Sequence, residues 1–168
     1  MPVIKQTEKA GGQPNELAPQ FLTFASGHAQ HQEKQEPIKE YNGGGRILVM
    51  DDDRLVGEVA VKMLRHLGYQ AEVAADGSET IALYKKSLEM NQPYDAVIMD
   101  LTIPRGMGGA ETLEKLLIID PQVKAIVSSG YSNDPIMVDF RQYGFRGFIM
   151  KPYMLMELKK TLVQVLAD

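Results

Sequence analysis

Four places along the chain put chemistry-bearing side chains directly after a short apolar run. Asp51 and Asp52 follow Ile47-Leu48-Val49-Met50, and Asp100 follows Ala96-Val97-Ile98-Met99. Ser128 and Ser129 follow Ala125-Ile126-Val127, and Lys151 follows Phe148-Ile149-Met150. Continuous apolar runs of this length read as buried parallel strands, so each polar residue marks a strand end. Three carboxylates gathered at one edge repel each other and need a cation or a proton to compensate. Hard oxygen ligands with no His or Cys among them suit Mg²⁺ (or Mn²⁺) better than zinc. A lysine and a hydroxyl at the same edge add a point charge and a donor. Together the set suits a phosphoryl group: metal and ammonium neutralise its oxygens, the hydroxyl binds one of them, and a carboxylate attacks. No glycine loop ends in Gly-Lys-Ser/Thr, and Gly43-Gly44-Gly45 precedes a strand rather than following one, so nucleotide binding is not indicated.

The elements that must position these residues alternate. After the first strand, Leu55, Val56, Val59, Met63, Leu64 and Leu67 recur at helical spacing, with Gly68 placed to cap the helix C-terminus. Glu72-Val73-Ala74 reads as a weaker strand. Asp76-Gly77-Ser78 reads as turn and cap, and Ile81, Ala82, Leu83 and Leu88 as a helix ending near Asn91-Gln92-Pro93. Residues 102–109 form a loop, and Leu113, Leu116 and Leu117 face inward from a helix stopped by Asp120-Pro121. Asp134-Pro135 predicts a cap with proline at the first helical position, opening a helix that runs to Gly144. Leu155, Leu158, Leu162, Val165 and Leu166 form the final helix. Five strand–helix units imply an α/β fold, a doubly wound parallel sheet with helices on both faces. Ligands of such sheets bind at the carboxyl ends of the strands, beside the switch point.

Composition bounds the rest. The chain has 168 residues, no cysteine and a formal net charge of −4. This excludes a disulfide scaffold and a thiol nucleophile, and a mildly acidic chain without a basic block is not expected to bind nucleic acid. No apolar run approaches the roughly 20 residues of a membrane span, and Met1–Ala10 has no apolar signal core. Direct membrane insertion is therefore not expected, and a cytoplasmic location is. Residues 1–45 carry four Pro, six Gly and six Gln, too little apolar surface to offset their ordering entropy. They read as a tail or linker before a domain spanning 46–168. Within them, Phe21-Leu22-Thr23-Phe24 is a short apolar patch, and His28 with His31 lacks a third ligand nearby.

Residues 46–167 resemble the receiver domain of two-component response regulators. The resemblance is carried by Ile47-Leu48-Val49-Met50-Asp51-Asp52-Asp53, by Asp95 to Leu101 with Pro104 beyond it, by Ser129-Gly130-Tyr131, and by Phe148-Ile149-Met150-Lys151-Pro152. It implies a flavodoxin-like (βα)5 fold with strand order 2-1-3-4-5. It implies that Asp100 is the phosphoacceptor, that Asp52 binds Mg²⁺ directly and Asp51 through water, and that the Asp100 side chain and the Thr102 carbonyl complete the metal ligands. Lys151 matches the lysine that pairs with the carboxylate and then with the phosphoryl group, and its bond to Pro152 is expected to be cis. Ser129, rather than Ser128, matches the hydroxyl that binds a phosphoryl oxygen. Phe148 matches the aromatic whose rotamer reports phosphorylation, and Tyr131 a position that modulates loss of the phosphoryl group. The implied donor is a histidine kinase or histidine phosphotransfer protein, the implied readout face is helix 134–143, strand 146–150 and helix 153–167, and homodimerisation on phosphorylation is open. No separate substrate is turned over in this reading.

Simpler roles suit several neighbours. Asp53 reads as a helix N-cap or a first-turn acid, Asp95 as a strand-start turn residue, and Met50, Met99, Met107 and Met150 as packing. Other classes remain. A haloacid-dehalogenase-like phosphatase would use Asp51 and Asp53, but no Gly-Thr follows and no cap domain is present. A binding-only pseudo-receiver normally loses an acid or the lysine, and none is lost. With no output domain expected after Asp168, the chain reads either as a stand-alone receiver or as the C-terminal receiver of a hybrid histidine kinase. The loops at 100–109 and 128–135, and Phe21–Ser26, resemble the latter.

Overall fold

The structure, a computed structural model, describes residues 44–167. The Phe21–Phe24 patch and the His28/His31 pair lie outside the described residues. Five strands alternate with helices: β1 (Arg46–Met50), α1 (Arg54–His66), β2 (Gln70–Ala74), α2 (Gly77–Glu89), β3 (Ala96–Asp100), α3 (Gly109–Ile119), β4 (Ala125–Ser129), α4 (Pro135–Val138), β5 (Gly147–Met150) and α5 (Leu155–Ala167). All pairings are parallel, and the strand order is β2-β1-β3-β4-β5, as the resemblance implies. The order reverses between β1 and β3. Their carboxyl ends, carrying Asp51 and Asp100, therefore lie where such sheets form their ligand crevice.

Strand alternation divides the core into two layers. Ile47, Val49, Ile98, Ile126 and Ile149 pack with Ala60, Val61 and Leu64 of α1 and with Leu158, Leu162 and Val165 of α5. Leu48, Met50, Val97, Met99, Ala125 and Val127 face the other way, against Tyr84 of α2, Leu113 and Leu116 of α3 and Met137 of α4. β3 is buried along its whole length, which is why its sequence shows no polar alternation.

The helix ends are set locally. Asp53 caps α1, its carboxylate accepting from Leu55 and Val56 N–H at 2.9 and 3.3 Å. Gly68, at φ +91°, closes the other end. There the Gly68 and Tyr69 N–H groups bond back to the Arg65 and Leu64 carbonyls, a left-handed stop that glycine adopts without Cβ strain. Asp76 caps α2 and Asp134 caps α4, with Pro135 at the first helical position.

One expectation is corrected. The helix predicted from 134 to 143 is an α-helical turn over Pro135–Val138, followed by a 3₁₀ turn over Phe140–Tyr143. The physical reason is the narrowness of its apolar face. Met137 alone is fully inside, while Val138 is 65 % and Tyr143 47 % exposed. A short helix draws its stability from tertiary packing rather than from propensity, and this segment has little beyond its first turn.

The tightest joint in the frame lies between α2 and α3. A Cβ built on Gly77 falls 1.9 Å from Thr112 Oγ1 and 2.8 Å from Met107 Cγ. Thr112 cannot yield, because its hydroxyl is bonded to the Gly108 carbonyl at 2.7 Å. Gly77→Ala is expected to destabilise the domain by about 1–3 kcal/mol, the usual range for overpacking, with the midpoint of urea unfolding as the measurement.

Candidate functional site

The sequence places four strand ends at one edge, and the fold brings the side chains of three of them together: Asp51 and Asp52, Asp100, and Lys151. One carboxylate oxygen from each of Asp51, Asp52 and Asp100 lies within 4.8 Å of the others. Asp51 follows β1, with its N–H bonded to the Ala74 carbonyl of β2, and its side chain is fully buried. Asp52 is exposed and lines a cleft with Asp76, Pro104 and Arg105. Asp100 ends β3 and is 9 % exposed.

Lys151, arriving from β5, supplies the counter-charge. Its Nζ is 2.7 Å from Asp100 Oδ2 and 2.7 Å from Asp51 Oδ2. The first contact is aligned as a hydrogen bond. The second is an ion-pair contact without that alignment, and Asp51 Oδ2 is the one buried side-chain polar atom without a hydrogen-bond partner among the described residues. The other Asp51 oxygen accepts the Asp53 N–H at 3.0 Å. Asp100 Oδ1 accepts the Thr102 N–H at 3.2 Å, which turns the chain back over the carboxylate and brings Thr102 to the rim.

These contacts fix the protonation preferences. Burial pushes the Asp51 carboxyl above the ordinary aspartate value, and the charge of Asp100 pushes the same way. The Lys151 ammonium close by and the bond from the Asp53 N–H only partly offset this. For Lys151, burial pulls the ammonium down, but the hydrogen bond to Asp100 and the close contact with Asp51 outweigh it, and the net shift is upward. The site is therefore an ammonium held by two carboxylates, with a third carboxylate close by and one buried oxygen short of a donor. An all-oxygen cluster carrying more negative charge than one lysine neutralises fits a hard divalent cation, and Asp51 Oδ2 is an acceptor such an ion would satisfy.

The two serines separate. Asp100 and Ser128 are register partners on adjacent strands. Ser128 donates to the Tyr153 hydroxyl at 3.0 Å, both groups being buried. Ser129 takes the next position. Its oxygen accepts the Tyr131 N–H at 3.1 Å, and its own O–H has no acceptor among the described residues. Tyr131 itself points outward, 76 % exposed. Phe148 is 45 % exposed, with its ring 5.3 Å from that of Phe140, so the aromatic stands outside the sheet edge. The Lys151–Pro152 bond is cis. No spacing signal in the sequence separates Tyr153 from an ordinary core aromatic.

Two measurements follow from the geometry. Asp51→Asn and Asp52→Asn are each expected to weaken Mg²⁺ binding at least tenfold by calorimetry. Asp53→Asn, whose side chain only caps α1, should stay within about twofold, because Asn caps about as well as Asp. The second concerns pH. A carboxyl whose folded-state value lies above its unfolded value resists ionisation in the fold, so its contribution to stability improves as pH falls through the folded value. In EDTA, thermal unfolding of Asp51→Asn should therefore lie above that of the parent at pH 7, and the difference should shrink as pH is lowered into and below the raised Asp51 range.

Comparison with known proteins shows the family and the fold. The family model for the response regulator receiver domain matches residues 47–163. The chain is 31% identical over 121 residues to the chemotaxis protein CheY of Treponema pallidum, covering 71% of this chain and 79% of that protein. It is 28% identical over 138 residues to the sensor kinase CckA of Brucella abortus, covering 82% of this chain but 14% of that kinase. Among solved structures, a CheY-like receiver domain protein of Methanospirillum hungatei superposes with a TM-score of 0.63 at 30% identity, covering 74% of this chain and 95% of that one. The receiver domain of a sensor histidine kinase from Pseudomonas aeruginosa, described with a magnesium ion in its active-site cleft, shares the fold at a TM-score of 0.65 and 24% identity, over 75% of this chain and 100% of that one.

Proposed function

The chain belongs to the response regulator receiver domain family, and from that premise we propose that Asp100 is the carboxylate that accepts the phosphoryl group. The observation that carries this assignment is the placement of Asp100 between Lys151 Nζ, at 2.7 Å, and the two acids of β1 that share its cluster. Asp51, Asp52, the Asp100 side chain and the Thr102 carbonyl would hold Mg²⁺, which when bound neutralises phosphoryl oxygens and aligns donor with acceptor.

The chain's own residues do the remainder. An Asp100 oxygen attacks phosphorus while the nitrogen–phosphorus bond of a phosphohistidine breaks, its electron pair returning to the imidazole. The acyl phosphate adds negative charge beside Asp51, and Lys151 pairs with it. Ser129, with an O–H free to donate, binds a phosphoryl oxygen. Phe148 moves inward from its place against Phe140 as Ser129 is drawn to the phosphoryl group, and so carries the change to β5 and α5. This is a local charge event that biases a two-state element. Tyr131, two residues beyond the hydroxyl, acts on how fast water removes the group.

The donor in this reading is a histidine kinase or a histidine phosphotransfer protein. The alignment with the sensor kinase covers more of the chain than residues 46–168 alone, so the likeness reaches into the N-terminal segment. This supports a receiver of the hybrid-kinase type, with residues 1–45 as a linker outside it.

Incubation with acetyl phosphate and Mg²⁺, read by intact mass, tests the assignment. The parent is expected to gain one labile phosphoryl group, and Asp100→Asn none. Omission of Mg²⁺ should abolish the adduct. A folded parent that gains nothing, or an Asp100→Asn variant labelled like the parent, refutes it.

A further inference from the structure

Beneath the acidic cluster lies a buried hydroxyl pair that the reaction above does not use. Ser128 Oγ and Tyr153 Oη are 3.0 Å apart, with Ser128 wholly buried and Tyr153 6 % exposed. Two features tie the pair to the site. Ser128 is the register partner of Asp100, so in a parallel sheet their side chains leave the same face. Tyr153 lies two residues past Lys151, and the Lys151 N–H is bonded to the Ser129 carbonyl at 2.9 Å. The segment 151–153 is thus tied to β4 twice, by backbone at Lys151 and by side chain at Tyr153, at adjacent positions of that strand.

Lysine has a long, flexible stem and no fixed geometry of its own. Its ammonium reaches both Asp51 and Asp100 at 2.7 Å only if its backbone is held in place. The backbone bond to Ser129 fixes one point, and a single point leaves the strand end free to pivot. The phenol provides the second. Burial and the neighbouring Asp51 and Asp100 charges push the Tyr153 hydroxyl up to about 12, against the Ser128 bond and the Lys151 charge, so it remains a neutral hydrogen-bonding group at working pH.

Resting on the phosphoacceptor reading, we propose that Tyr153, through its hydrogen bond to Ser128, is a positioning residue that aims the Lys151 ammonium at Asp100. It touches neither phosphoryl group nor metal. Its loss misplaces Lys151 while leaving the metal ligands where they are.

Tyr153→Phe removes one oxygen and keeps the ring. Ser128→Ala with Tyr153→Phe removes both partners, which leaves no buried hydroxyl unpaired and serves as the variant of choice if the single change unfolds. The saturating rate of labelling by acetyl phosphate is expected to fall about tenfold, less than the roughly 10²-fold that a 1 Å misplacement can cause. The half-saturating acetyl phosphate concentration and the Mg²⁺ affinity should stay within about twofold. Introduced on a Lys151→Ala background, Tyr153→Phe should produce no further fall, because coupled residues are non-additive. An equal fall on that background, or an unchanged rate, overturns the proposal. An independent readout is the ¹H–¹⁵N signal of the Lys151 ammonium at low temperature, expected in the parent and broadened beyond detection in Tyr153→Phe. A signal unchanged by the substitution also overturns it. If the parent takes up no phosphoryl group, the phosphoacceptor reading fails on its own, and the ammonium signal decides the positioning role.

Discussion

Everything at the carboxyl edge of this sheet depends on one ammonium between two carboxylates. Asp51 is buried and Asp100 nearly so, and like charges at that distance in a low dielectric cannot both stay ionised without a cation beside them. Lys151 provides it, but incompletely. It is aligned with Asp100 and merely close to Asp51, whose Oδ2 is left without a donor. Burial holds the acid on β1 above its ordinary value, and the Lys151 charge offsets this only in part. A fold optimised only for stability would not leave such an atom. Local violations of this kind are expected at functional sites rather than in a frame.

The fold serves this arrangement by making each contributor a strand end. A parallel sheet sends all its carboxyl termini to one edge, and the reversal of order between β1 and β3 separates the helices that cover the two faces, opening a crevice there. The residues then need only to be the first ones past their apolar runs. Asp51, Asp100 and Lys151 are three such residues on three strands. The capping acids beside them do different work. Asp53, two positions from Asp51, spends its carboxylate on the N-terminus of α1 and so fixes where the helix begins relative to the cluster.

The same logic explains what could be read without coordinates. The strands were legible because parallel burial writes them as unbroken apolar runs, and the acids and the lysine because they interrupt those runs. Asp53 and Asp134 were legible as caps for the same local reason. The α4 segment was not. Asp134-Pro135 announces a helix start, and Gly144 its end. What decides whether the stretch between them stays α-helical is how much of it finds a core, and that is a property of the packed neighbours. Tyr153 was illegible for a related reason. Its proposed role rests on a contact with Ser128 across 25 positions of sequence, and a tyrosine that lies flat in the core has the same sequence signature as one that ties a loop to a strand. Ser128 and Ser129 show the limit from the other side: adjacent, identical in type and both buried, they are told apart only by what each hydroxyl touches.

That contact pattern also orders the events a phosphoryl group would set in motion. Ser128 is spoken for by Tyr153, so it stays with the frame. Ser129 accepts one local N–H and has a proton to give, so it is the hydroxyl that is free to turn. Phe148 stands on β5, register-paired with Val127 rather than with either serine, and its ring rests outside against Phe140 in the 3₁₀ turn. The 3₁₀ turn that carries Phe140 and the short α4 before it have the thinnest apolar anchorage of the helical elements, and weakly anchored segments open at the lowest free energy. The rigid part of the site, Lys151 clamped to β4, therefore adjoins the part of the fold least committed to one arrangement. A charge change at Asp100 would have a fixed fulcrum on one side and a yielding element on the other, which is what turning a modified carboxylate into a change of surface would require.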